Sequence, residues 1–163
     1  MPDERALIYW DANVFLAYIG GDARHLPVLD AVLDDSSNPK GRGQVVTSTV
    51  SIVEVAFATY EKQRGLLDLR VEEQIDDLWA DEQAVKLAEF HEMVAREART
   101  LIRRALAHDM SLKPLDAIHL ATAERLRVAE FHTYDQRLFG YAGIVGFSIG
   151  EPAISQPKLF EEP

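Results

Sequence analysis

Leu7-Ile8-Tyr9-Trp10-Asp11-Ala12-Asn13-Val14-Phe15-Leu16 is the stretch on which the reading of the chain turns. An apolar run ends in a carboxylate, and a helical pattern begins at once. If the run is a strand of a parallel sheet, Asp11 stands at its carboxyl end, where open α/β sheets bind ligands. An Asp in that place is equally a helix N-cap, and the stretch alone leaves both readings open. Three later acids give the first reading its weight: Glu54, Asp116 and Asp135.

Working outward, 163 residues suit one domain with a core that needs no covalent staples. The apolar share of 47% fits a globular chain, and no apolar run approaches the roughly 18 residues of a membrane span. Met1-Pro2-Asp3-Glu4-Arg5 is acidic and lacks the pattern of a signal peptide. With zero cysteines there are no disulfides or thiolate metal sites, and a cytoplasmic location is expected. The formal net charge of -10 speaks against broad electrostatic binding of nucleic acid. It is compatible with a cluster of acidic metal ligands whose charge bound cations offset. Any contact with nucleic acid is then local, and a protein partner would be basic.

Hydrophobic periodicity predicts a strand over 6–10 and a helix over 12–19 stopped by Gly20-Gly21. A second helix opens at Asp22 or Arg24 and runs into the loop 36–43. A strand over 44–47 leads to a buried helix from Val50 to Arg64, with Glu54 inside it. Further helices are expected over 68–80, 91–108 and from Pro114 to about Leu126, with short strands over 84–88, 129–133 and 144–149. The helix over 91–108 turns Met93, Val94, Ala98, Leu101, Ile102 and Leu106 inward. Arg96, Arg99, Arg103 and Arg104 form its solvated outer face. Strands alternating with helices argue for an α/β fold with a parallel sheet covered on both faces. Residues 1–150 read as a single domain and 151–163 as an irregular tail.

In such a sheet Asp11, Glu54, Asp116 and Asp135 can meet at the carboxyl ends of neighbouring strands. Four carboxylates at close range repel unless protonated or shared by cations. Hard oxygen donors suit Mg²⁺ or Mn²⁺, which can activate water and stabilise charge on a phosphate. The order Asp11-x-Asn13, Glu54 within Ser48–Val55, Leu115-Asp116-Ala117-x-His119-Leu120-Ala121 and Thr133-Tyr134-Asp135-x-x-Leu138 resembles the PIN-domain nucleases. It is most similar to the VapC-type toxins of toxin–antitoxin pairs. The likeness runs from about residue 6 to 149, and the block Asp116–Ala121 is its most specific piece.

The resemblance implies a PIN-like three-layer α/β/α fold with four to five parallel strands. It implies a Mg²⁺- or Mn²⁺-dependent endoribonuclease that dimerises and is restrained by a cognate antitoxin. Asp11, Glu54, Asp116 and Asp135 would form the acidic site, with Asp11 and Asp116 as direct metal ligands. Asn13, Ser48 and Thr133 are candidates for orienting them, against plain capping for the first two. His119 reads as a structural histidine, and His91, His108 and His132 lack the spacing of a zinc site. Lys113, Arg137 and Arg42 are weak candidates for steadying a phosphate. Two other readings fit less well. A phosphoacceptor domain would leave Asp135 without a role, and a dehalogenase-type phosphatase wants Asp where Asn13 stands. A catalytically silent binding module is a further alternative, although all four acids are present.

Overall fold

The apolar strand that opens the sequence, β1 (Ala6–Trp10), lies at the middle of the sheet. The structure is a computed structural model that describes residues 5–154. On one side β1 pairs with β2 (Gly43–Ser48), which pairs with β3 (Val85–Ala88); on the other it pairs with β4 (Glu130–His132), then β5 (Ser148–Gly150). All four pairings are parallel, giving a five-stranded sheet in the order β3-β2-β1-β4-β5. The ends of β2, β1 and β4 are therefore neighbours along one edge, as right-handed crossovers require.

Alternation along β1 sorts the side chains into two cores. Ile8 and Trp10 face a layer built from α1 (Ala12–Ile19), α2 (Leu26–Ser37) and α5 (Leu69–Ala80), where Phe15, Leu29, Val71 and Leu78 are buried. Tyr9 points the other way, with Val46 and Phe131, into a layer of α6 (Glu92–Leu106) and α7 (Pro114–Leu126). Trp10 and Phe15 are wholly buried and meet edge to face. Truncating either to Ala would cost about 3–5 kcal/mol. The fold is a three-layer α/β/α sandwich.

The predicted helix over Val50–Arg64 is broken. It forms α3 (Val50–Glu54) and α4 (Thr59–Arg64), joined by an irregular link. Val50, Ile52, Val53 and Val55 are β-branched and weak helix formers. Val55 and Ala58 turn into the core, while the buried Glu61 carboxylate accepts from the backbone N–H of Ala58 and of Asp68. The expected all-round burial also fails, because Ile52, Val53 and Phe57 are exposed. The predicted last strand shifts: Ala142–Val145 is a helical turn, α8, closed by Gly146 at φ 76°, and β5 follows it. The second helix opens later than expected, at Leu26, after a turn in which Asp22 accepts from the Arg24 N–H. Met93 and Leu106 face solvent rather than the core. The predicted tail lies almost wholly outside the described residues.

The edge opposite the ends of the central strands is closed by Ser36. Its hydroxyl donates to the Ala84 carbonyl at 2.5 Å and accepts from the Val45 N–H at 2.9 Å. Arg5 places its guanidinium on the carbonyls of Asp35 and Ser36, at the end of α2 where a cation suits the helix dipole. Among the described residues no helix is long and apolar enough to cross a membrane.

Candidate active site

Asp11 leaves the end of β1 and is 5% exposed. One carboxylate oxygen accepts from the Ala12 N–H at 2.7 Å, so it does cap α1. The other oxygen accepts from Asn13 Nδ2 at 3.0 Å and from the Thr133 hydroxyl at 3.1 Å. Capping and a site role are thus compatible, since each uses a different oxygen. Asn13 also donates to Thr133 and accepts from the Tyr134 N–H, and the Asp135 N–H donates to Thr133. Asn13 and Thr133 therefore tie the end of β1 to the segment after β4. Burial raises the Asp11 carboxyl above its ordinary value, against the pull of His119, the Ala12 N–H and Thr133.

Asp116 stands in the first turn of α7, half-buried. Its carboxyl is also raised, by burial first and then by repulsion from Asp11 and Asp135. His119 and Arg137 offset that only in part.

The other two acids are each engaged by a cation or imidazole. Glu54 ends α3 with Oε1 2.5 Å from His119 Nε2, which is 3.7 Å from Asp11 Oδ1. His119 Nδ1 meets the Tyr9 hydroxyl at 2.6 Å, and that hydroxyl accepts from the Ser48 N–H at 3.1 Å. Burial pulls the His119 pKa down, but the Glu54 hydrogen bond and the charges of Asp11, Glu54 and Asp116 outweigh it, so the net shift is upward. Asp135 is gripped by Arg137 through Nε at 2.9 Å and Nη2 at 2.6 Å. That fork lowers its carboxyl, and Lys113 adds to the effect.

His119 is therefore not a bystander in the core. It lies between Glu54 and Asp11, one helical turn beyond Asp116. The i, i+3 spacing of Asp116 and His119, which puts both on one helix face, is the sequence signal for it. Tyr9, read from the sequence as a strand residue, anchors that histidine. The Ser48 hydroxyl accepts from the Val50 N–H, a local capping bond. Arg42 is displaced to the opposite edge. It precedes β2, and its backbone N–H donates to Asp35 there. A residue before a parallel strand and one after it are separated by the strand's length.

Among the described residues, no three acidic or histidine side chains converge closely enough to hold a metal ion as they stand. Glu54 is turned to His119 and Asp135 to Arg137. Asp11 and Asp116 remain as two raised, mutually repelling carboxylates with hard oxygen donors. That set fits Mg²⁺ or Mn²⁺, which binds through one or two carboxylates and keeps several waters.

Solved structures of the same fold cover most of the chain. FitAcB from Neisseria gonorrhoeae is 23% identical, with a TM-score of 0.61 over 89% of this chain and 97% of that one. VapBC2 from Rickettsia felis, solved on a DNA fragment from its promoter, is 10% identical, with a TM-score of 0.61 over 88% and 96%. VapC20 from Mycobacterium tuberculosis, a sarcin-ricin loop cleaving toxin, is 15% identical, with a TM-score of 0.57 over 79% and 90%. No curated protein sequence matches the chain. The sequence profile of the PIN domain matches residues 8–144, from β1 through α8. The profile takes in all four acids and strands β2 to β4 with most of β1, and the chain belongs to the PIN domain family.

Proposed function

We propose that the chain is a divalent-metal-dependent endoribonuclease and the toxin of a toxin–antitoxin pair, folded as one domain over residues 1–150 and acting in the cytoplasm. The observation that carries the reading is the meeting of three acids around His119 at the carboxyl ends of the central strands: Glu54 at 2.5 Å, Asp11 at 3.7 Å and Asp116 one turn before it on α7. The RNA-cleaving and antitoxin-bound relatives support it. Asp11 and Asp116, with Glu54 and Asp135 beside them, would hold a Mg²⁺ or Mn²⁺ ion, and that ion would supply activation of water and neutralisation of phosphate charge.

The chain's own residues supply the rest. Thr133 and Asn13 fix the rotamer of Asp11. His119 holds Glu54 toward the acids, backed by Tyr9, so the carboxylate can orient water. Arg137 and Lys113 offer positive charge at the Asp135 side, where a phosphate would otherwise meet only acids.

The antitoxin is proposed to use the groove between α3 and α5. Ile52, Val55, Leu67, Ile75 and Trp79 give it an apolar lining, and Glu61, Asp68, Glu72 and Asp76 an acidic one. That combination fits a basic amphipathic segment. Exposed Val53, Leu66, Leu67 and Leu69 are the surface proposed for self-association into a dimer.

The test is cleavage of a mixed structured RNA pool by purified protein with Mg²⁺, Mn²⁺ or EDTA. The expected result is metal-dependent cutting that Asp11→Asn and Asp116→Asn each reduce by at least about a hundredfold. Cutting that persists in both variants would overturn the assignment. Metal-independent RNA or protein binding without cutting would favour a silent binding module.

A further inference from the structure

We propose that the cleft beside the acids, between α1 and the Tyr134 segment, seats a single nucleobase of the RNA against the Tyr134 ring. The inference rests on the nuclease reading and adds which residues choose the substrate. The cleft is about 380 Å³, lined by Asn13, Leu16, Ala17, His25, Thr59 and Tyr134 among others. Leu16 and Ala17 are apolar. Tyr134 and His25 present aromatic rings whose centroids lie 4.2 Å apart at 32°. Both rings are half-buried, which leaves part of each to the cleft they line.

Sequence-specific recognition of single-stranded RNA works by this combination: an unstacked base lies on an aromatic ring and its edge meets polar groups. The cleft's polar residues are Asn13, Asp22, His25, Thr59 and Tyr134. Asp22 is forked by Arg24 through Nε at 3.2 Å and Nη2 at 2.9 Å. Its carboxylate is an acceptor for the N–H groups of a base edge, the exocyclic amines of A, C and G and the ring N–H of G and U.

The cleft is coupled to the reacting centre by covalent neighbours and by one amide. Tyr134 lies between Thr133, which donates to Asp11, and Asp135. Asn13 holds the Tyr134 N–H with its oxygen and Asp11 with its nitrogen. A base stacked on Tyr134 thereby fixes where its own phosphate falls relative to Asp11, which is how binding a base becomes cleavage at a chosen position.

The experiment is cleavage of a randomised RNA pool by the full chain, with the cut ends sequenced. It is run beside equilibrium binding of labelled eight-nucleotide RNAs to the full chain carrying Asp116→Asn. The wild type is expected to show a base preference at one position flanking the cut. Tyr134→Ala should raise KM about tenfold to a hundredfold, more than it lowers kcat, and erase that preference. Tyr134→Phe should recover most of the lost affinity, and Asp22→Asn, which adds an amide donor to the cleft, should change which base is preferred. If Tyr134→Ala keeps the base preference, or loses only kcat and does so equally on every sequence, the residue merely supports Asp135 and the proposal is overturned. If nothing is cut but RNA binding falls with Tyr134→Ala, the cleft stands and the nuclease reading fails. If RNA is neither cut nor bound, both fall.

Discussion

Tyr9, His119 and Glu54 form a chain of hydrogen bonds from the middle of the sheet to the acidic edge, and each link has a separate cost. The Tyr9 hydroxyl is the acceptor for the Ser48 N–H and the partner of His119 Nδ1. Tyr9→Phe leaves both unsatisfied in a buried place, so it should destabilise by about 1–3 kcal/mol in denaturant titration. Asp116→Asn should do the opposite. No hydrogen bond is among the causes of the Asp116 shift, and desolvation and repulsion dominate it. Neutralising the group should raise stability slightly, since solvent screens part of the repulsion at a half-exposed carboxyl, while abolishing cutting, the usual trade at a functional site. A lower melting temperature for that variant would show that the acid is structural. Asp11 was legible in the sequence because it ends an apolar strand at a helix start. Glu54, Asp116 and Asp135 followed from the strand ends they adjoin. His119 was legible only through its spacing from Asp116, because a histidine inside an apolar helix looks the same whether its ring meets core or carboxylate. Arg42 was misplaced because proximity in sequence to a strand does not say at which of its ends a residue stands.

At the scale of elements, the break between α3 and α4 sets where Glu54 points. Were Val50–Arg64 one helix, Glu54 would sit in its middle; instead it ends a single turn and reaches His119. The break is held by Glu61, whose buried carboxylate serves the N–H groups of Ala58 and Asp68 at 2.8 and 2.7 Å. Glu61→Ala should cost about 1–3 kcal/mol. It should also speed hydrogen exchange at the Ala58 and Asp68 amides more than at the strands, since the loss is local. Unchanged exchange there would mean that Val55 and Ala58 hold the break by packing alone. The parallel sheet, its strand neighbours and most helices were readable from period and from glycine and proline. This break was not, because it depends on a carboxylate reaching across residues that no local pattern links.

For the molecule as a whole, net charge and buried histidine set the response to solution conditions. With a formal charge of -10 and few basic groups at the site, RNA binding should depend weakly on salt. A slope of log affinity against log salt of about -1 to -2 is expected, from two or three phosphate contacts at about 0.7 each. A slope several times steeper would require a basic surface elsewhere. Two buried histidines act on acid stability with opposite signs. Burial lowers the His132 pKa, and Glu130 restores only part of the loss. At this site the unfolded chain binds more protons than the folded one below the free value of about 6.5, so its contribution falls as the solution is acidified through the folded pKa. His119, raised by its acids, gains stability on acidification through the same region. His132→Gln should therefore hold its melting temperature better than the wild type between pH 7.5 and 5.5. The raised carboxyls of Asp11 and Asp116 act in the same sense as His119, gaining protons on folding, so Asp116→Asn should weaken that gain.

The strand order has a consequence in time. β1 lies at the centre, yet one of its two neighbours, β4, comes from residues 130–132. A nascent chain emerging from the ribosome exposes β1 early and can pair it with β2 at once. The other flank must wait until residues 130–132 have been made. Asp11 likewise waits for Thr133, the donor to one of its oxygens. Translation that halts before that point leaves a polypeptide with Asp11, Glu54 and Asp116 but an unfinished sheet. The order of synthesis thus makes the hydrogen-bonded setting of Asp11 a late event, reached more than a hundred residues after Asp11 itself is made.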